Sequence, residues 1–228
     1  MPTINPTRIG YIVGTGGSSF ATSRTANGSI AADGAAGNYA TAIQSFYNSG
    51  RGGGTHRQTR TYLHFDTSGI FGTVSSVTLG VTGYSQTTSD VIVLNGYNAF
   101  GGDGGTALNV DDFNEVGMGG TSQAYSPQFT PWTTSTNSIT LNSNAENRMS
   151  SNDDLTIGLI NYTHDYSNSA QTTSGAQSAG IAFSTTIQLT YSAATGGPNL
   201  KLNSVDSTNI SRWDSTSWSS ISKINGIS

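Results

Sequence analysis

The chain has no cysteine, so neither a disulfide framework nor a thiolate zinc cluster can hold it together, and stability has to come from packing and assembly. Charge is scarce: 10% of the 228 residues are charged, and the lysines are only Lys201 and Lys223. With a formal net charge of -4, the clustered cations that phosphate neutralisation demands are missing, which argues against a nucleic-acid partner. No apolar run approaches the length of a membrane span. The opening stretch MPTINPTRIGYIVGTGG has no basic segment leading into a continuous apolar one, so neither membrane embedding nor signal-peptide export is expected. Proline numbers five, and eleven-residue windows with apolar positions at three-and-four spacing are absent, so the only helical feature expected is a short turn near NVDDFNEVG.

In place of charge stand 29 glycines and a large complement of Ser, Thr and Asn, giving a neutral, hydroxyl-rich surface. The dominant period is two. In TRTYLHFDTS, Thr61, Leu63 and Phe65 point one way and Tyr62, His64 and Asp66 the other, which predicts a strand with one buried face. SSVTLGVTGY sets Val77, Leu79 and Val81 against Thr78, Gly80 and Thr82, and DVIVLNGY reads as a short strand buried on both faces. DLTIGLINYTH alternates Leu155, Ile157 and Leu159 with Thr156 and Gly158, and GIAFSTTIQLTY continues the alternation from Ile181 to Leu189. Weaker strands are predicted from Ile9 to Val13, Ile43 to Tyr47, Ala124 to Phe129 and Ile139 to Leu141. Many strands joined by Gly/Asn/Ser turns predict an all-β fold, a jelly-roll-like antiparallel β-sandwich over residues 1–195.

After Pro198 the alternation loosens, and residues 196–228 form a tail with two related strand-turn units. ISRWDS recurs as ISKING, eleven residues later: Ile210 with Ile221, Arg212 with Lys223, Trp213 with Ile224, Asp214 with Asn225. Ile221, Ile224, Trp213 and Trp218 cannot be buried within units this short, so they require another surface. That surface is either the chain's own sandwich or a neighbouring subunit, and Ile210, Trp213, Trp218, Ile221 and Ile224 are the expected interface residues.

Chemistry-bearing constellations are sparse. Asp111, Asp112 and Glu115 in DDFNE and the Asp153-Asp154 pair are too closely spaced to flank a sugar, and the second pair reads as a solvated turn. There is no G-x-S-x-G elbow, and His64 and His164 fall in strand patterns as hydrogen-bonded residues of a polar face. GTGGSSF lacks the lysine and the following helix of a phosphate loop. No cofactor is expected; a structural calcium ion would draw on Asp103, Asp111 and Asp112 in the GGDGGT and NVDDFNE loops, although neither has EF-hand spacing. A carbohydrate platform would draw on Tyr84, Tyr97, Trp132 or Tyr162.

The segment RTYLHFDTSGIFGTVSSVTLGVTGY with the later IQLTYS resembles the DNRLRE-type β-sandwich pattern over residues 60–84 and 187–191. The resemblance implies a jelly-roll scaffold or adhesion module and no reaction. SKINGI resembles a phrase found in structural proteins of tailed bacteriophages; the first copy departs from it, with Trp213-Asp214-Ser215 where Ile224-Asn225-Gly226 stands in the second. Together these imply a non-enzymatic virion protein on the particle surface, a capsid decoration, head fibre or tail appendage. Its expected partners are other virion proteins and further copies of itself, a trimer ahead of other closed oligomers, with a host glycan as a further partner. A carbohydrate-binding adhesin is the alternative reading, and a polysaccharide depolymerase stands behind both.

Overall fold

The computed structural model describes residues 1–33, 40–51, 54–70, 72–87, 90–118 and 123–194. The tail with its interface residues Ile210, Trp213, Trp218, Ile221 and Ile224 lies outside the described residues. In chain order the elements are β1 (Thr3–Ile4), β2 (Arg8–Gly17), α1 (Phe20–Thr25), β3 (Ile30–Asp33), β4 (Ala40–Asn48), β5 (Thr55–Asp66), β6 (Val74–Thr87) and β7 (Val91–Asn95). There follow β8 (Thr136–Leu141), α2 (Ser143–Ser151), β9 (Asp154–Asn161), β10 (Gly175–Ile181) and β11 (Gln188–Ala193).

The fold is all-β, antiparallel and sandwich-like. Every ladder is antiparallel, and β6 belongs to two layers. Its first part, Val74 to Thr82, pairs with β11 on one side and β8 on the other; beyond Gly83 it pairs with β10. The strand changes layer where a Cβ on Gly83 would sit 1.8 Å from the Thr133 carbonyl oxygen, an approach that only a residue without a side chain permits. From β10 the larger layer runs through β4 and β5 to β2 and β3, and β5 also pairs with β9, which carries β7.

Between the layers lies the main core. Val77, Leu79 and Val81 from β6, Ile139 and Leu141 from β8 and Leu189 from β11 meet Leu63 and Phe65 from β5, Leu155, Ile157 and Leu159 from β9, and Val91 and Val93 from β7. The period-two alternation produces this face directly, because alternate Cβ atoms of a pleated strand share one side.

Four expectations need correction. The outer face of β5 is not polar and solvated: Tyr62 and His64 are buried, and Tyr62 joins Ile12, Ile92, Leu94, Phe100, Phe113 and Ile160 in a second core cluster. The loops between β7 and β8 cover that face, so β9 is likewise buried on both sides. GIAFSTTIQLTY is two strands, not one, since Ala182 to Ile187 turn between β10 and β11 and the Ala182 carbonyl accepts from the Thr185 amide. Ala124 to Phe129 contributes only single bridges, Leu94 with Ala124 and Val91 with Phe129, because Pro127 interrupts the run. His164 lies in a π-helical turn, Tyr162–Tyr166, not a strand.

Helix α2 was not anticipated from periodicity, as only Ala145 and Met149 are buried on it; Asn142 caps it by accepting the Asn144 amide. The turn foreseen in NVDDFNEVG is present as a 3₁₀ helix, Val110–Asn114, closed by a capping box between Asn109 and Asp112.

Candidate functional site

Beside the second core cluster lie two fully buried charges, Arg60 and Asp165. Arg60 stands on β5 two residues before Tyr62, and its side chain is 0% exposed. Asp165 reaches it from the π-helical turn after β9, and the two form a fork-to-fork pair: Nε donates to Oδ2 at 2.7 Å and Nη2 to Oδ1 at 2.8 Å. Arg60 Nη1 donates to the Phe113 carbonyl at 2.7 Å, Nη2 donates also to the Arg24 carbonyl at 2.8 Å, and the guanidinium lies over the Phe113 ring at 3.9 Å. Tyr62 donates its hydroxyl to the same Phe113 carbonyl. One arginine thus ties together β5, α1, the 3₁₀ helix and the π-helical turn, four segments far apart in sequence.

Electrostatics follow from this burial. Desolvation works against the Arg60 charge, yet the adjoining Asp165 carboxylate more than offsets it and the guanidinium is held more firmly protonated than usual. Burial drives the Tyr62 phenol upward despite the neighbouring Arg60. Arg24, on α1, is the second cation. Its Nε donates to the Asp165 backbone carbonyl at 2.7 Å and Nη1 donates to Asn168 Oδ1 at 2.8 Å, while burial lowers its pKa. Over these groups opens a cavity of about 460 Å³, lined by Arg24, Thr25, Arg60, Asn114, Val116, Met118, Tyr166 and Asn168. Tyr166 is stacked on Tyr162 with ring centroids 5.6 Å apart.

The residues expected to bind sugar are dispersed. Trp132 cannot be a platform: it is fully buried in the inter-sheet core and its indole donates to the Gly180 carbonyl at 3.2 Å. Tyr97 and Tyr162 lie beyond opposite ends of β7, a strand whose rise of about 3.3 Å per residue sets them far apart. Tyr84 is exposed on the part of β6 beside β10. Of the four, Tyr162 adjoins the cavity through its stack on Tyr166.

The three aspartates named for calcium serve turns. Asp103 accepts the Gly105 amide, Asp111 accepts from Asn27, and Asp112 Oδ2 accepts the amides of Asn109 and Phe100. Among the described residues no three His, Cys, Asp or Glu side chains converge. Two histidines are bonded into the fold: His64 Nδ1 is hydrogen-bonded to Thr7 Oγ1 at 2.8 Å, and His164 Nδ1 lies 2.6 Å from the Ser169 carbonyl oxygen. Asp66 accepts both the amide and hydroxyl of Ser68, which lowers its pKa. Asp154 pairs with Arg148 at 2.8 Å.

Arg24, Arg60 and Asp165 are not among the site residues expected from the sequence. A signal was present: in so lightly charged a chain, an arginine at the centre of a strand marks a cation that needs a buried partner. The partner's identity was not in the sequence, because Asp165 lies 105 residues away.

No family model matches this chain, and no curated protein matches it either. No described helix is long and apolar enough to cross a membrane.

Proposed function

We propose that the chain is a non-enzymatic structural protein of a tailed-bacteriophage particle, a β-sandwich module displayed on the virion surface. The observation that carries this reading is how the ionisable residues are spent. Arg60 and Asp165 lock four segments together, His64 and His164 are hydrogen-bonded into loops, and Asp103, Asp111 and Asp112 close turns. A frame built in this way presents surfaces. The SKINGI phrase and the DNRLRE-like strands support display on a particle, and the apolar residues that such short tail units cannot bury by themselves support docking on a neighbouring subunit, with a trimer favoured.

Imaging intact particles by electron microscopy tests location and symmetry together. Deleting residues 199–228 tests the tail: melting of the remaining chain is expected to stay nearly unchanged while incorporation into particles falls. A joint loss of both would make the tail part of the module's own core and overturn the docking role.

A second reading, glycan contact by the same displayed module, is favoured by one specific feature. The cavity beside Arg24 combines an aromatic wall at Tyr166 with the amides of Asn114 and Asn168 and the hydroxyl of Thr25, the mixture that sugar rings and their hydroxyls call for. A glycan array on the purified chain tests it, and binding of no saccharide would remove it.

A further inference from the structure

We infer that the cavity above the Arg60–Asp165 pair selects an acidic saccharide and seats its carboxylate on Arg24. This rests on the glycan reading and adds to it the charge of the ligand.

The argument begins from charge balance. Two guanidinium groups, Arg24 and Arg60, share one carboxylate, Asp165. Arg60 takes both carboxylate oxygens at hydrogen-bond distance, whereas Arg24 Nε stands 3.5 Å from Oδ1 and spends its hydrogen on the Asp165 backbone carbonyl. On the covering loop Asp112 is occupied by two backbone amides and Asp111 accepts from Asn27. One positive charge is therefore left over at a position only 12% exposed, where burial already lowers the arginine's pKa. A guanidinium in that setting gains more from an anion than a solvated one would, because screening by water is weaker there.

Geometry adds direction. Arg24 is fixed at Nε by the Asp165 carbonyl and at Nη1 by Asn168, which leaves Nη2 without a hydrogen-bond partner among the described residues and places the side chain on the cavity wall. Arg24 also lies near the Phe20 ring, 5.9 Å from its centroid, a contact that restrains its swing. A held guanidinium loses little entropy when it binds a carboxylate. The remaining lining favours a sugar over an acidic peptide. Asn114, Asn168 and Thr25 offer donors and acceptors to ring hydroxyls, Val116, Met118 and Tyr166 offer apolar faces, and no second unpaired cation is present in the lining for a run of carboxylates. The volume, about 460 Å³, falls within the size range of small-molecule sites, roughly 300–1,000 Å³.

The test titrates the full chain with methyl β-D-glucuronide and methyl β-D-glucoside, followed by amide chemical shifts. The glucuronide should bind at least about tenfold more tightly, with the larger shifts at Arg24, Asn114 and Asn168, since charge-assisted bonds are about twice as strong as neutral ones. Arg24→Gln should abolish the preference. Because Arg24 also braces the fold, Asn114→Asp provides a second variant that leaves the Arg60–Asp165 pair intact; it should weaken both glycosides, and the glucuronide several-fold more than the glucoside, because the added carboxylate repels only the charged sugar. Equal affinity for the two glycosides would overturn the charge assignment while leaving the glycan reading standing. Binding of neither at tens of millimolar would remove both. A poly-glutamate peptide that displaces the glucuronide with tighter affinity would overturn the sugar assignment in favour of an acidic protein partner.

Discussion

The two faces of β5 are stabilised by opposite means. On its inner face Leu63 and Phe65 pack into the apolar core between the layers through short-ranged, non-directional contacts. On its outer face Arg60 and Tyr62 sit beneath a cover of loops held by an ion pair and by bonds to carbonyls. The difference reflects what lies opposite. A facing sheet offers ranks of side chains with its backbone already paired in ladders, whereas loops bring unpaired carbonyls, such as those of Phe113 and Arg24, that need donors when buried. Arginine, with five N–H groups on one planar head, can serve several of them at once. The cover is therefore specific where the core is merely apolar, and it is the part of the molecule most exposed to single-residue failure.

The sharpest way to break this asymmetry is Asp165→Ala, which leaves Arg60 charged and unpaired at a fully buried site. It should cost about 3–5 kcal/mol in urea denaturation. Replacing both partners, Arg60→Met with Asp165→Leu, should recover a large part of that loss; a double variant as unstable as the single one would mean that the carbonyl bonds, not the charge, dominate. Leu79→Ala in the inter-sheet core comes next, at about 3 kcal/mol, with no partial rescue from any neighbouring change of charge.

Gly158→Ala should act on the cover alone. A Cβ there would lie 2.3 Å from Val116 Cγ1, so the loop must lift, at about 1–3 kcal/mol. Amide exchange should accelerate at residues 110–118 before it does in β6 or β8. The smallest expected effect is a pH slope. Burial holds the His64 pKa below its ordinary value, so the unfolded chain takes up the proton first. Stability from this group is complete above about pH 6.5, the unfolded histidine value, and is lost as pH falls below it toward the folded pKa. The melting temperature should decline between pH 7 and 5, and His64→Gln should flatten that decline; an unchanged slope would assign it to His56, whose pKa is lowered by burial as well.

Much of the frame could be read before any coordinates. Leu155, Ile157 and Leu159 announced β9, Val77, Leu79 and Val81 announced the first part of β6, and the apolar run at Val91 announced a strand buried on both faces. The errors at Tyr62, His64 and Trp132 share one cause. Tyr62 and His64 were assigned to a polar face because Tyr and His tolerate water, and a period of two reports which residues share a side, not what covers it. Trp132 was assigned to the surface for its ring, yet an indole that can reach the Gly180 carbonyl is equally at home in a core.

By itself the sequence determined the all-β class, the inner faces of the strands and the scarcity of charge, because these follow from local alternation and composition. Tertiary structure alone decided that Arg60 meets Asp165, that Arg24 stands beside them as a second cation, and that a cavity opens beside them. Pairing of buried charges depends on which loops return to one face of β5, and that is fixed by strand order and long-range packing. No pattern within a dozen residues encodes it.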